Sequence, residues 1–339
     1  MSRFENNDKE RGSNMNKVLR LVLLAGGLTT LVASQAFAAD TFKVRFSWKL
    51  KGEYAPLYVA RDMGAFSKAN LDVSMGEGAG APAALTAMLQ GQEDAVIMPA
   101  AFALTAISKG MPIKIVALYH PKAPIGFVSF AQNPVRVPKD MEGKKFAVSV
   151  GDTVAAYLPV FCKKNNVDCD KINKITVNPQ VRNSQFMAHQ IDVIGAYLNV
   201  DLPLLEPIAK EKFVVLDLAK YGMTVPGLSV VVADTAIAQK PDVIARFIGA
   251  LGEGVSASRK DPAKAAAVLK KDWAGSPPVE VITRQVVETL AAIPSVPGHK
   301  AGWTDAAWIA EALDMLKSVG EIDDIKPLPT YYTNALVEK

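Results

Sequence analysis

The sequence has 339 residues, of which 50% are hydrophobic and 21% are charged, and its formal net charge is +4. This length is enough for two domains of ordinary size, and the composition is that of a folded protein rather than a disordered or fibrous one. Basic clusters, which are typical of nucleic-acid-binding proteins, do not stand out, so we predict no nucleic-acid partner.

The N-terminus has the pattern of an export signal. Lys17 and Arg20 precede the apolar run Leu21–Val32, and small residues then lead to the A-x-A site that ends at Ala38. A basic start, a short apolar core and this site are typical of a cleavable signal peptide, and the apolar run is too short for a comfortable membrane span. We therefore predict a periplasmic protein.

After this signal, short apolar strands alternate with longer amphipathic helices. The first cycle has predicted strands at Lys43–Trp48, Leu71–Met75, Asp94–Met98 and Ile113–Tyr119, with helices at Pro56–Ala69, Pro82–Gln90 and Ala101–Lys109. This alternation is typical of an α/β fold with a mostly parallel sheet and helices on both faces.

A second cycle follows the turn-rich stretch 132–140. Its predicted strands are Lys145–Ser149, Lys174–Val177, Asp192–Ala196 and Phe213–Leu216, and its helices are Thr153–Asn165, Ser184–His189 and Val200–Ala209. A last strand begins at Leu228, and predicted helices then follow without intervening strands at Pro241–Arg259, Pro262–Lys271, Val279–Ala292 and Thr304–Val319. We expect these last helices to pack around the first lobe instead of forming a third sheet.

Several short segments, in their order and spacing, resemble one family. They are Trp48, Ala55–Ala60, Gly64–Phe66, Leu71–Val73, Gly91-Gln92, Gly110–Pro112 and Asp140–Lys145. Together they resemble the NMT1/SsuA-like periplasmic binding proteins, which are substrate receptors of importers for nitrate, sulfonates and thiamine-precursor pyrimidines. The resemblance covers nearly all of the chain after the signal.

The resemblance implies a two-lobed type II periplasmic binding protein fold, in which each lobe is a doubly wound, mostly parallel sheet. Two segments, near Val128–Phe130 and Leu228–Val230, are expected to cross between the lobes. The predicted division is a signal peptide with an N-terminal extension at 1–39, lobe one at 40–130 plus 229–339, and lobe two at 131–228. Whether translation starts at Met1 or Met15 is left open.

In doubly wound sheets, ligands bind beyond the carboxyl ends of the strands, in the loops that lead into helices. This rule selects the candidate ligand-binding residues without help from the family. They are Trp48, Glu53, Tyr54, Gly78, Gly80, Ala81, Pro99, Ala100, Thr153, Arg182, Asn183, Tyr197 and Asn199.

The lobe-one candidates include one aromatic and one acidic side chain with distinct alternatives. Trp48 ends the first strand, where the family also carries a tryptophan, and its indole can cover a planar ligand or belong to the core or rim. Glu53 can accept hydrogen bonds from a ligand amine or amide, or be a solvated surface residue. Tyr54 follows it in the same loop.

The lobe-two candidates centre on a fixed positive charge. Arg182 can hold a carboxylate or sulfonate with two hydrogen bonds, although an arginine before a helix is often a surface residue. Asp152 and Thr153 resemble a helix cap, which competes with an anion for the same backbone N–H groups, and we expect Thr153 to be the ligand contact. Tyr197 and Asn199 can orient a polar ligand.

The glycine-rich stretch Gly76–Gln90 does not have the residues of a nucleotide loop. It lacks the Gly-Lys-Ser/Thr of a P-loop, and Ala81 occupies the third glycine position of Gly-x-Gly-x-x-Gly. Proline next to Ala81 begins a helix. We therefore predict no cofactor, and we expect Gly78 and Gly80 to allow close approach of the backbone to a ligand.

Cys162 and Cys169 are seven positions apart and either form a local disulfide or remain as buried thiols. Two cysteines and three scattered histidines give no zinc pattern, so we predict no metal site. Hydrolase motifs are not apparent, and the enzyme branch of the family, the pyrimidine synthases, carries a cysteine-rich motif and no export signal. We therefore predict a receptor without catalytic residues.

The sequence thus predicts a periplasmic receptor that closes around a small solute and delivers it to the permease of an ABC importer and its ATPase. A small organic anion, such as a sulfonate or an aromatic carboxylate, is the favoured ligand, because Arg182 is joined by three aromatic side chains. A thiamine-precursor pyrimidine bound to Glu53 and a ligand-sensing signalling subunit are the alternatives. We expect a monomer that meets the membrane only through the permease.

Overall fold

The structure is a computed structural model that describes residues 38–149, 152–318 and 320–339. The predicted signal peptide lies outside these residues, apart from its last two positions. Residues 39–339 form one compact unit. Within the described part of the chain, no helix is both long enough and apolar enough to cross a membrane.

The first sheet forms the centre of lobe one. Its strands, in spatial order, are β2 (Leu71–Gly76), β1 (Asp40–Phe46), β3 (Ala95–Pro99), β10 (Leu228–Ala233) and β4 (Ile113–Leu118). Strands β1, β2 and β3 are parallel, and β10 runs antiparallel to both of its neighbours. The carboxyl ends of β1 and β3 therefore meet at the same edge of the sheet.

The second sheet has the same plan and forms the centre of lobe two. Its spatial order is β7 (Asn173–Thr176), β6 (Lys145–Val148), β8 (Val193–Tyr197), β5 (Ile125–Phe130) and β9 (Phe213–Asp217). Strand β6 is parallel to β7 and β8, while β5 is antiparallel to β8 and β9. The predicted two-lobed α/β fold is confirmed.

Helices cover both sheets, and the last of them pack on lobe one. In chain order they are α1 (Ala55–Asp62), α2 (Ala65–Lys68), α3 (Ala81–Leu89), α4 (Ala100–Ser108), α5 (Thr153–Ala156), α6 (Leu158–Lys164), α7 (Arg182–Met187), α8 (Leu198–Leu205), α9 (Asp234–Gln239), α10 (Pro241–Lys260), α11 (Pro262–Asp272), α12 (Val279–Ala291) and α13 (Ala306–Ser318). The predicted helix Pro56–Ala69 is interrupted at Gly64, whose φ of 73° is in the left-handed region.

The segments that cross between the lobes are 119–124 and 218–227, and they hydrogen-bond to each other. The N–H of Ala123 donates to the carbonyl of Val225 over 2.7 Å, and Gly227 N–H donates to His120 O over 2.7 Å. The predicted crossings at 128–130 and 228–230 are wrong, because these residues lie inside β5 and β10. We accordingly propose the lobe limits in these two segments.

The two cysteines are joined in lobe two. The disulfide connects Cys162 in α6 to Cys169, which begins a short 3-10 turn, with 5.7 Å between the Cα atoms. Cys162 is buried against the lobe-two core beside Phe161. The bond closes the short loop between α6 and β7, which leads towards Arg182.

Candidate functional site: a cleft between the lobes

A cleft of about 210 Å³ lies between the carboxyl ends of the strands of both sheets. Lobe one supplies the segment 47–54 after β1 and residues at the end of β3, and lobe two supplies residues after β6, β7 and β8. The predicted residues that line it are Trp48, Glu53, Tyr54, Ala81, Pro99, Thr153, Arg182, Asn183 and Tyr197. The strand-end rule therefore brings most of the candidates to one place.

Gly78 and Gly80 do not line this cleft but support its wall from behind. A Cβ at Gly78 would lie 2.0 Å from the carbonyl oxygen of Phe46. The Gly78 N–H donates to Trp48 O over 3.2 Å, and the Gly80 N–H donates to Ser47 O over 2.8 Å. The glycines let this loop pack against the segment that carries Trp48, so the predicted close approach is to protein backbone.

Ala100 and Asn199 also lie outside the cleft wall. Ala100 is fully buried, and its N–H donates to Gly227 O in the second crossing segment over 2.7 Å. Asn199 is 3% exposed, and its Nδ2 donates to Thr289 Oγ1 over 3.0 Å. Direct ligand contacts by these two residues therefore have no support in the geometry.

Two tyrosines face the cleft from opposite lobes. Tyr54 of lobe one stacks on Phe46 with 4.2 Å between ring centroids. Burial, with the negative charge of Glu53, raises the pKa of Tyr54 well above its ordinary value, and burial likewise raises the pKa of Tyr197. Both phenols are therefore neutral hydrogen-bond donors at physiological pH, and the buried hydroxyl of Tyr197 has no partner among the described residues.

A lysine that the sequence analysis missed provides a largely buried positive charge on the lobe-one wall. Lys51 Nζ lies 2.6 Å from Glu53 Oε1, and the two side chains are 13% and 6% exposed. The same ammonium lies 4.8 Å from the ring centroid of Tyr197, close enough for a cation–π contact across the cleft. A lysine in a loop is usually solvated, and its sequence neighbours do not reveal the ring that covers it.

Arg182 lines the cleft, but its guanidinium already binds two carboxylates. Nη1 lies 3.1 Å from Asp152 Oδ2, and Nη2 lies 2.8 Å from Asp201 Oδ1. Further donors reach Gly195 O and Asn183 Oδ1. Burial alone would lower the pKa of Arg182, but Asp201 and Asp152 raise it above its ordinary value, so the group remains charged. We call Arg182, Asp152 and Asp201 the ion triad.

Asp152 of the ion triad also caps helix α5. Its Oδ1 accepts hydrogen bonds from the N–H groups of Val154 over 2.9 Å and Ala155 over 3.1 Å. These donors are therefore not free for an anion, which decides between the two readings of Asp152-Thr153 in favour of the cap. Thr153 itself lines the cleft.

Every cationic side chain that lines the cleft has a carboxylate within 4 Å. Lys51 has Glu53, Arg182 has Asp152 and Asp201, and Lys49 is 3.7 Å from Glu77. Among the described residues, the cleft wall carries three cations and three carboxylates, so it is neutral in sum. An anion that binds here therefore competes with carboxylates that already lie beside these cations.

Asp201, Trp273 and Gln285 are further residues of the wall that the sequence analysis missed. Asp201 follows Tyr197 by one helical turn and accepts the Tyr197 N–H over 2.8 Å, a local pattern that could have indicated it. Trp273 and Gln285 come from the C-terminal helical region. Only the tertiary fold brings them to the cleft, and it places Gln285 beside Gly52, 233 positions away.

A family model described as "NMT1/THI5 like" matches residues 51–265, which is more than half of the chain. The chain belongs to the NMT1/THI5-like family. The predicted family resemblance is therefore confirmed. No curated protein sequence matches this NMT1/THI5-like protein.

Solved structures with the same fold include both binding proteins and an enzyme. The alkanesulfonate-binding protein SsuA from Xanthomonas axonopodis pv. citri, bound to MOPS, is 15% identical with a TM-score of 0.67, covering 87% of this chain and 99% of its own. The periplasmic nitrate-binding protein NrtA from Synechocystis PCC 6803 is 12% identical with a TM-score of 0.66, covering 88% of this chain and 87% of its own.

The desulfurization enzyme DSZB is 10% identical with a TM-score of 0.60, covering 88% of this chain and 98% of its own. At these identities the likeness to all three structures is one of fold. Because one fold serves receptors and an enzyme, the function has to be argued from the cleft.

Proposed function

We propose that this NMT1/THI5-like protein is the periplasmic solute receptor of an ABC importer. It captures a small molecule between its lobes and delivers it to a membrane permease with its ATPase. The observation that carries the proposal is the two-sided cleft, in which Lys51 of lobe one lies over the ring of Tyr197 of lobe two. A ligand that touches both walls favours the closed arrangement of the lobes.

We propose a binding role without catalysis, carried out by a monomer. The described residues that line the cleft include no histidine and no cysteine. Neither a Ser–His nor a Cys–His pair is therefore present among these lining residues. The similar binding proteins SsuA and NrtA support this choice over the enzyme DSZB.

We propose that the ligand is a small, uncharged, planar molecule with both hydrogen-bond donors and acceptors. Trp48 provides a face for a ring, the phenols of Tyr54 and Tyr197 and the ammonium of Lys51 provide donors, and Glu53 provides an acceptor. A pyrimidine, the alternative of the sequence analysis, has this chemistry. The anion favoured by the sequence stays a prediction, but its main argument, a free guanidinium at Arg182, does not hold because of the ion triad.

A small organic anion is the second candidate, and Lys51 is the observation that favours it. The ammonium of Lys51 can exchange its single partner, Glu53, for a ligand carboxylate or sulfonate, whereas Arg182 would have to give up two. A ligand-sensing subunit would use the same cleft. Neighbouring permease and ATPase genes would support import, and a histidine-kinase gene would support sensing.

A thermal-shift screen of the exported, purified protein tests the proposal. The screen compares uncharged pyrimidines with alkanesulfonates, nitrate and aromatic carboxylates. A ligand at 100 times its Kd stabilises the folded state by about 2.7 kcal/mol, so uncharged rings are expected to raise the Tm measurably. If only anions raise it, the neutral-ligand proposal is wrong, and the Lys51→Met variant then tells whether Lys51 holds the anion.

A further inference from the structure

Helix α12 of lobe one contacts helix α8 of lobe two beside the cleft. Thr289 Oγ1 accepts from Asn199 Nδ2 over 3.0 Å, Gln285 Nε2 donates to Val200 O over 2.8 Å, and Arg284 Nη1 lies 2.6 Å from Glu206 Oε2. The three contacts follow one another along α12 and, on the other side, along α8 and the turn that begins at Glu206. We call them the α8–α12 latch.

Each helix is fixed in the core of its own lobe. Helix α12 buries Ile282, Val286 and Leu290 in the same cluster as the strands of lobe one. Helix α8 buries Leu205 in a lobe-two cluster with residues of β5 and β8. Relative movement of the lobes therefore acts directly on the latch.

Gln285 is the member of the latch that also reaches the ligand-facing loop. Its Oε1 accepts the N–H of Gly52 over 2.9 Å, and Gly52 lies between Lys51 and Glu53. A Cβ at Gly52 would be 2.4 Å from Gln285 Cβ, so only glycine allows this approach. One buried amide thus holds the Lys51–Glu53 loop with its oxygen and lobe two with its nitrogen.

The two bonds of Gln285 depend on each other. The side-chain amide of Gln285 cannot flip, because its NH₂ would then face the Gly52 N–H and its oxygen would face the Val200 carbonyl. Gln285 is 1% exposed, so water does not readily replace a lost partner. When Val200 moves away with lobe two, the side chain loses the contact that keeps its oxygen on Gly52.

We propose that Gln285 is a positioning residue that couples lobe closure to the placement of the Lys51–Glu53 pair. Contact between α8 and α12 fixes the amide, and the amide fixes the loop that presents both charges to the cleft. The inference deepens the proposed receptor function and rests on it only for its consequence, a tighter grip on the solute in the closed arrangement.

Hydrogen exchange at the Gly52 amide of the ligand-free protein tests whether a change in lobe two affects the Lys51–Glu53 loop of lobe one. The variant Glu206→Ala changes only lobe two and removes the interlobe partner of Arg284. Its matched control is Glu288→Ala, which removes the other partner of Arg284, within α12 itself. We expect Glu206→Ala to speed Gly52 exchange by about two- to fivefold, as for an exposed ion pair, and Glu288→Ala to leave it unchanged.

Two further variants separate the coupling between the lobes from the direct support that Gln285 gives to the Gly52 loop. Gln285→Met removes both bonds and is expected to speed Gly52 exchange by about tenfold or more. Thr289→Val removes the Asn199 bond without touching the Gly52 loop, and a two- to tenfold (about one hydrogen bond) increase at Gly52 is expected. If Glu206→Ala and Thr289→Val both leave Gly52 exchange at the wild-type rate, the coupling is wrong, whatever Gln285→Met does.

The result of the exchange experiment does not depend on the receptor proposal, because no ligand takes part in it. A screen without any hit would contradict the receptor function and leave the exchange result as it stands. Where a ligand is found, saturating the protein with it should slow Gly52 exchange, because a ligand that favours the closed arrangement lowers the fraction of molecules in which this amide is open. Unchanged Gly52 exchange in the complex would overturn the proposed link to binding.

Discussion

The two lobes fix their walls of the cleft in different ways. Lobe two uses covalent and ionic constraints: the Cys162–Cys169 disulfide lies in the segment before β7, and the ion triad joins α7 to the loop after β6 and to helix α8. Lobe one presents a loop, residues 47–54, that is held by the Gly78 and Gly80 backbone contacts and by Gln285.

This difference indicates which charges are structural and which are available to a ligand. The charges of the ion triad satisfy one another and one helix terminus, so they hold lobe two in shape. The Lys51–Glu53 pair has fewer partners and lies under the ring of Tyr197. We expect substitutions in the triad to change stability and substitutions in the pair to change binding.

The largest effect should follow removal of the triad's cation. Arg182→Met leaves Asp152 and Asp201 buried without a counter-charge, and we expect the free energy of unfolding to fall by about 3–5 kcal/mol in urea denaturation. The control is Arg61→Ala, whose more exposed pair with Asp272 should contribute about 1 kcal/mol or less. A stable Arg182→Met protein that has lost only ligand binding would show that Arg182 serves the ligand and not the structure of lobe two.

The second-largest loss of stability should follow removal of the lobe-two disulfide. Opening a loop between residues seven positions apart is expected to lower the free energy of unfolding by about 2–3 kcal/mol, through the entropy of the unfolded chain. The double variant Cys162→Ala with Cys169→Ala and the wild type in reductant should show the same loss. If reductant leaves the wild type unchanged while it is shown to be reduced, the bond does not constrain lobe two.

Neutralising the pair on lobe one should affect binding more than folding. The double variant Lys51→Met with Glu53→Gln removes both charges together, so that neither remains buried alone. For a ligand found in the screen, we expect a loss of affinity of about tenfold or more, measured by calorimetry, while the ligand-free Tm shifts by only a few degrees (about 1 kcal/mol). Unchanged affinity would place the ligand elsewhere in the cleft.

The smallest expected effect is a pH-dependent loss of stability that arises at His120, in the first segment that crosses between the lobes. Burial lowers the pKa of His120 from its ordinary 6.5, and Nε2 bonds to Thr289 O while Nδ1 has no partner among the described residues. Glu53 acts to raise this pKa and Lys51 to lower it. The unfolded chain therefore binds a proton at a higher pH than the folded one, and stability falls as the pH drops below 6.5.

The comparison for this pH effect is His120→Gln, which keeps a donor for Thr289 O and cannot titrate. Between pH 6.5 and 5.5 the wild type should lose about 1 kcal/mol more than the variant in urea denaturation, since one proton contributes at most about 1.4 kcal/mol per pH unit. Parallel pH profiles would show that His120 charges freely in the folded state.

The periodicity of the sequence predicted most strands and helices because each has one apolar face or a buried apolar run. It failed at Ile125–Phe130, where every residue is buried and no alternation marks a strand. The strand-end rule found Arg182, but the charge state of the site depends on partners that only the fold supplies. Arg182 meets Asp152 and Asp201 from other segments of lobe two, and Lys51 meets Tyr197 of the other lobe. Gln285 binds Gly52 from much later in the chain.

We propose that the cleft holds an uncharged solute against the Lys51–Glu53 pair and that Arg182 serves the structure of lobe two. Calorimetric titration of the purified protein with an uncharged pyrimidine and with the carboxylate that carries the same ring tests this proposal. We expect the uncharged compound to bind about tenfold or more tightly, a difference of 1.4 kcal/mol. Tighter binding of the carboxylate, lost in Lys51→Met, would contradict the claim.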